Sequence, residues 1–171
     1  MRLVPVYKKN NQHYWLHSNR IMKGTIIIDS REQDLHILKS LELLKIPYVR
    51  RKLNFGDYSF EFNSKSYENE ICIERKGSLD EIIGNFTKGR ERFRKEFERS
   101  KGCKVILMVE ASMEQLEAGQ YRSRMKPNDL KSFLKTWCNK FQLELKFVEK
   151  DKACEFILGS FRKYYSERKI L

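Results

Sequence analysis

Asp57, Glu74 and Lys76 are the residues of this chain whose types and spacing could do chemistry. They lie in one stretch, Asn54 to Asp80, that reads as a Gly-Asp turn, a strand over Tyr58–Phe62, a turn over Asn63–Ser66 and a strand returning over Glu70–Lys76. On a strand, side chains two residues apart share a face. Glu74 and Lys76 therefore point one way, Ile73 and Arg75 the other, and Asp57 at the start of the partner strand can lie beside the first pair. Two carboxylates and an ammonium in one small volume suit hydrolysis of a phosphodiester. A hard divalent cation held by carboxylate oxygens polarises the phosphoryl group and lowers the pKa of a bound water. A neighbouring lysine positions or deprotonates that water, or neutralises charge in the transition state. Taken alone, Glu-x-Lys is also what a solvated edge strand carries, with Asp57 a turn residue.

The elements that must position these groups can be read in order. Thr25–Asp29 is a β-branched run ending in a charge, as in a buried central strand that delivers Asp29 to the end of a sheet. Ser30-x-x-Gln33 fits a capping box, with Asp34 in the first turn and Leu35, Leu38, Leu41 and Leu44 lining a helix that stops before Pro47. That makes Glu32 a first-turn charge favoured by the helix dipole. Tyr48–Leu53 reads as a strand. Ser78–Lys101 reads as a helix bent or interrupted at Gly84 and Gly89, with Asp80 capping or orienting it. Its outer faces carry Lys88, Arg90 and Arg92, which form either a solvated face partly neutralised by Glu91, Glu96 and Glu98 or a grip for phosphates. Lys104–Glu110 is a second buried strand. Ala111–Asn128 is a loop or partly helical insert whose basic patch, with Arg122 and Arg124, is expected to contact DNA. A helix from Pro127 carries a core face of Leu130, Phe133, Leu134, Trp137, Cys138 and Phe141. Leu143–Phe147 alternates as a half-exposed strand. The last helix, Lys152–Arg168, is apolar on two sides, one for the sheet and one, holding Phe156 and Tyr164, for a partner subunit. Residues 1–23 form an N-terminal arm or short hairpin, and residues 24–171 a single domain.

With 171 residues and 40% hydrophobic content, the chain can build one ordinary core without metals or disulfides. Its formal charge of +12 favours polyanionic partners, nucleic acid first, and a salt-sensitive association. Cys72, Cys103, Cys138 and Cys154 lack metal-ligand spacing and read as buried thiols of a reducing compartment. His13 and His17 have helical i, i+4 spacing but no third ligand nearby, which disfavours a metal pair. No stretch is apolar enough for a membrane span or a signal peptide, so the expected location is intracellular and cytoplasmic, near the nucleoid in a bacterium or phage-infected cell.

A longer pattern sharpens this reading. Gly56-Asp57, a gap, Glu74-Arg75-Lys76 and then Asp80 closely resembles the signature of the XPF/MUS-type structure-specific endonucleases, named after xeroderma pigmentosum group F. Ile28-Asp29-Ser30-Arg31-Glu32 resembles the family's other element, and Gly89-Arg90 followed by Arg92-Phe93 its helix after the active site. The resemblance implies a restriction-endonuclease-like α/β fold with a mixed central sheet flanked by helices. It implies a metal-dependent DNA endonuclease acting on branched or flapped DNA in repair, recombination or phage DNA processing, leaving a 5′-phosphate and a 3′-hydroxyl. Asp29, Asp57 and Glu74 would hold Mg²⁺ or Mn²⁺, Glu32 would join the catalytic group, and Lys76 would position or activate the water. Arg31, Arg75 and Arg90 would orient ligands or phosphates. Family members pair through the domain, so a homodimer through the C-terminal helices is expected, with no small-molecule cofactor. Many also carry a tandem helix-hairpin-helix module, which is not in this sequence; a stand-alone form is the expectation. The same fold also serves the family as a non-catalytic DNA-binding scaffold or a partner-dependent subunit; the presence of Asp29, Asp57, Glu74 and Lys76 ranks the enzyme first.

Overall fold

In the computed structural model, residues 7–9, 12–17 and 20–168 are described, with side chains from residue 24 onward. Strands β1 (Tyr7–Lys9) and β2 (Gln12–His17) pair antiparallel, and β2 pairs with β3 (Arg20–Asp29), so β3 runs across the expected boundary at residue 23. The rest of the expected arm lies outside the described residues.

The β-branched run makes the second half of β3 the centre of the sheet, with Ile26, Ile27 and Ile28 almost fully buried. There it pairs parallel with β4 (Tyr48–Arg51) and antiparallel with β5 (Tyr58–Phe62). Strand β5 pairs with the short β6 (Lys65–Ser66), and meets β7 (Ile71–Lys76) at Tyr58 and Ile73 alone. Strand β7 then pairs parallel with β8 (Lys104–Val109), and β8 parallel with β9 (Glu144–Phe147). The result is one mixed sheet ordered β1-β2-β3-β5-β7-β8-β9.

Alternation along β7 and β8 divides the apolar residues between two cores. Ile73, Ile106 and Met108 face helices α1 (His36–Leu43) and α6 (Ala153–Arg168), where Ile37, Leu41, Ile157 and Phe161 close the first core. Cys72, Leu107 and Val109 face α2 (Leu79–Phe86), α3 (Arg90–Arg99) and α5 (Pro127–Phe141). Phe86, Phe93, Phe97 and Trp137 form a ring cluster there, with centroids 4.5–6.2 Å apart. Each such pair adds about 0.5–1.5 kcal/mol beyond its buried area. The same alternation sends Glu74 and Lys76 toward the α2–α3 side and Arg75 toward α1.

Several boundaries differ from expectation, each for a local reason. Helix α1 starts at His36, because Glu32 accepts from the Asp34 N–H and Asp34 from the His36 N–H, which holds residues 30–35 as a loop. The reciprocal capping box is instead at Ser112 and Gln115, opening α4 (Met113–Glu117) within the insert. The break between α2 and α3 falls at Thr87–Gly89, while Gly84 sits inside α2. Cys72 and Cys154 are buried, but Cys103 and Cys138 only partly. Phe156 and Tyr164, expected on a second face of α6, are partly buried against the same core, with Tyr164 edge-on to Tyr67 at 6.4 Å.

Candidate active site

Three hydrogen bonds hold Asp57 where β3, β5 and β7 converge. Its N–H donates to the Ile73 carbonyl at 2.9 Å, its carbonyl accepts from the Asp29 N–H at 2.8 Å, and its Oδ2 accepts from the Arg75 N–H at 2.8 Å. Gly56 makes the approach possible. Its φ is +72°, and a Cβ there would stand 2.8 Å from Cys72 Sγ and 2.9 Å from Cys72 Cβ. Gly56→Ala is therefore expected to lose at least about 2 kcal/mol, combining a left-handed backbone with overpacking. Urea unfolding checks this; a loss below about 0.5 kcal/mol, the level of an unremarkable surface change, would mean that the turn relaxes freely.

Glu74 and Lys76 complete the group from β7. Lys76 Nζ donates to Glu74 Oε1 at 2.7 Å, with the two side chains 8% and 9% exposed. Lys76 Nζ also lies 3.6 Å from Glu81 Oε1 and 5.1 Å from the centre of the Phe93 ring. Burial raises the carboxyl pKa of Asp57, and the charge of Glu74 adds to that effect against the opposing pull of Lys76. Burial raises Glu74 too, with Lys76 acting against it and Glu96 with it. Burial opposes the charge on Lys76, but Glu74 and Asp57 outweigh it and hold the ammonium above its ordinary range. Lys76 thus stays a cation next to two carboxyls that resist ionisation. Hard oxygen donors of this kind are what a divalent cation such as Mg²⁺ stabilises in the charged form.

Asp29 stands beside this group with both oxygens engaged. It accepts from the Arg31 N–H at 2.8 Å, Arg31 Nε at 2.7 Å, Arg31 Nη2 at 3.0 Å and the Leu53 N–H at 2.6 Å. Burial acts against its charge, yet these donors lower its pKa overall. Arg31, half exposed, is thereby committed to Asp29 and to the Leu53 carbonyl.

The protein-family comparison matches residues 28–159 to the model of the ERCC4 domain. The chain belongs to the ERCC4-domain family. No curated protein sequence matches it. Among solved structures it is similar to XPF from Aeropyrum pernix, at 20% identity over 84% of this chain with a TM-score of 0.62. It is also similar to the same protein in a complex with DNA, at 18% identity over 85% of this chain with a TM-score of 0.63. In both, the chain spans 66% of the other protein's length. The likeness establishes the fold, a restriction-endonuclease-like mixed sheet flanked by helices.

This ERCC4 domain puts the middle residue of Glu74-Arg75-Lys76 elsewhere than among phosphates. Arg75 is 5% exposed on the opposite face of β7, with Nε 2.7 Å from Glu110 Oε1 and Nη2 2.9 Å from Glu110 Oε2. Nη2 also donates to Asp34 Oδ2 at 2.6 Å, and Nη1 lies 3.6 Å from Glu32 Oε2. Glu32 is therefore directed to Arg75. His36 joins the hub, with Nδ1 2.9 Å from Asp34 Oδ1 and Nε2 at ion-pair distance, 2.8 Å, from Glu110 Oε1, though not aligned as a hydrogen bond. Asp34, His36 and Glu110 bring three potential ligand atoms within 4.8 Å of one another. The Arg75 guanidinium already serves Asp34 and Glu110 as their cation.

Of the other cations, Arg122 is tied to Asp80, whose oxygens accept from its N–H at 2.9 Å and its Nε at 3.3 Å. Asp80 thus anchors the 120s loop, while Ser78 caps α2. Arg92 is exposed and loosely paired with Glu96 at 4.0 Å. Lys88, Arg90 and Arg124 are exposed and form no ion pair among the described residues. Sequence reasoning missed Glu81, Glu96 and Glu110. The signal for Glu110 was available: it ends an apolar strand as Asp29 does. Glu96 shares a small cleft with Gly56, Cys72, Glu74 and Phe97, a placement visible only once α3 lies across β7.

Proposed function

We propose that this domain is a divalent-metal-dependent DNA endonuclease that hydrolyses phosphodiester bonds in branched or flapped DNA, in repair, recombination or phage DNA processing. The observation that carries the reading is the convergence of the half-buried Asp57 with the buried Glu74 and Lys76 on an ERCC4-domain fold. Asp57 and Glu74 are the residues that would hold Mg²⁺ or Mn²⁺, which when bound supplies Lewis-acid activation of the phosphoryl group and of water. Asp29, saturated by four donors, stiffens the Asp57 backbone; a contact from it to the metal would require release of Arg31. Lys76, held as an ammonium, balances negative charge on the phosphoryl oxygens and orients the water. Glu32, 3.6 Å from Arg75 Nη1, would serve the site through Arg75 as a positioning residue. Lys88, Arg90 and Arg124, with the loosely paired Arg92, are placed to grip the DNA backbone, and the charge of +12 supports that partner.

The deciding experiment is cleavage of labelled single-stranded, duplex, flapped and four-way-junction DNA with Mg²⁺, Mn²⁺ or EDTA. Metal-dependent cutting that Lys76→Ala removes from a folded protein supports the reading. Undiminished cutting by that variant refutes the site, and salt-sensitive binding without cutting moves the weight to a scaffold or a partner-dependent subunit. Light scattering tests pairing through the C-terminal helices: a doubled mass supports it, and a single mass leaves α6 a core helix only.

The electrostatics add a pH signature. Because Asp57 and Glu74 have folded pKa values above the ordinary carboxylate value of about 4, the native state holds protons that the unfolded chain releases. The stability they contribute is present below that value and lost as pH rises through the raised values. A divalent cation needs both groups ionised. Its stabilisation should therefore grow from about pH 5 to about pH 8, reaching about 2.7 kcal/mol at a hundredfold excess over Kd. Thermal melts with and without Mg²⁺ measure this; equal shifts at both pH values would place the cation elsewhere.

A further inference from the structure

Between the start of α3 and the outer face of α5 runs an open groove of about 680 Å³ that the catalytic reading does not use. Its floor is apolar, made by Met125, Phe133 and the edge of Trp137. Its rim carries two exposed guanidinium groups, Arg90 and Arg124, neither in an ion pair among the described residues. Its walls add hydroxyls, among them Ser132 and Thr136, and one carboxylate, Asp129. A single buried ring stands between the groove's Trp137 and Lys76 of the candidate active site. Phe93 lies 5.1 Å from Lys76 Nζ and stacks on Trp137 at 5.2 Å between centroids.

We propose that this groove is a slot for an unpaired nucleobase of a single strand next to the phosphate at Lys76. The inference rests on the nuclease reading above and deepens it by naming the strand state recognised. The chemistry favours a nucleotide over other occupants. A base offers a flat π-face to Phe133 and Met125, and its polar edge meets hydroxyls and the Asp129 carboxylate. Its flanking phosphates meet Arg90 and Arg124. A phosphate alone would not need the apolar floor, and an apolar peptide would not need two free guanidinium groups. A paired base keeps its faces covered by stacking and could not enter. The slot therefore selects DNA that is open beside the reacting bond.

The test measures binding of the full chain in EDTA, so that no strand is cut. By fluorescence anisotropy, a thymidine oligonucleotide is compared with a strand of equal length lacking its bases. The wild-type protein should prefer the base-bearing strand by at least about tenfold, the scale of one or two base–aromatic contacts. Ser132→Trp, which fills the groove from an exposed position of α5, should cut that preference at least about fivefold, the lower bound for loss of a single such contact. A second measurement is independent of that variant's folding: photocrosslinking of a 5-iodouracil strand to the wild-type protein should map to residues 123–137. Equal affinity for the two strands, an unchanged preference in folded Ser132→Trp, or crosslinks confined to other segments would overturn the slot while leaving the nuclease reading intact. Absence of binding to any DNA would overturn the nuclease reading itself, and the slot with it.

Discussion

Asp57→Asn is expected to abolish metal-dependent cleavage and to make the metal-free protein more stable. The loss should be at least about 10²-fold in rate, the scale seen when one preorganised charge-stabilising group is removed from an active site. The gain has a separate cause. Burial and Glu74 oppose ionisation of Asp57, so at neutral pH folding must either keep this charge buried or take up a proton, a cost that the neutral amide does not carry. The amide oxygen can still accept from the Arg75 N–H, which keeps the turn in place. We expect about 0.5–2 kcal/mol of added stability, or a few degrees in Tm for a chain of this length. The gain should shrink as pH falls through the ordinary carboxylate range, where the unfolded chain is protonated as well and folding takes up no proton. Parallel melts and cleavage assays on one preparation check both halves. A variant that is inactive and also less stable would show that the carboxylate is a structural cap, and that inactivity follows from a disturbed turn.

Arg75→Met is expected to be the most damaging single change on β7, although Arg75 contacts no substrate in the proposed mechanism. It would strand Glu110, whose side chain is fully buried, and release Asp34 and Glu32. Breaking a buried ion pair by removing one partner costs about 3–5 kcal/mol. At roughly 2–4 °C per kcal/mol for a chain of this size, Tm should fall by about 6–20 °C. Arg75→Lys should recover little, because a point charge cannot reproduce the fork that spans Glu110 and Asp34. The double change Arg75→Met with Glu110→Leu should recover much of the loss, since a buried pair replaced by apolar groups is often nearly neutral. If the double variant is as unstable as the sum of its parts, the two residues are not coupled and the hub does not hold α1 and β8 to β7.

Activity separates the two sides of the strand. Arg75 variants should lose cleavage in proportion to unfolding, and regain it where the fold is restored. Asp57 and Lys76 variants should lose cleavage while remaining folded. Strand periodicity separates the two faces of the Glu-Arg-Lys tripeptide, but not what each face meets.

The sequence by itself determined the central strands of the sheet and the centre of the candidate site. The β-branched run ending at Asp29, the apolar run over 105–109 and the alternation through β7 each follow from local periodicity, which a strand enforces at every second residue. Gly56 before Asp57 marked a sharp turn, since only that residue tolerates both the positive φ and the approach of Cys72. Glu74 and Lys76 on one face, with Arg75 on the other, followed from the same periodicity. The tertiary structure decided what each face meets. Arg31 was read as a ligand- or phosphate-orienting cation and turns to Asp29, two residues away. Arg75 turns to Glu110, 35 residues away, and Glu32 follows it. The outcomes for Arg75 and Glu32 depend on long-range packing of α1 and β8 against β7, which no short window encodes. The start of α1 moved for the same reason: loop carboxylates satisfied by Arg75 and by backbone N–H groups compete with a helical first turn. The groove beside α5 is likewise tertiary. Phe133 and Trp137 are ordinary core residues by spacing, and only the packing of α5 beside α3 and the insert brings them to one groove with Met125, Arg90 and Arg124.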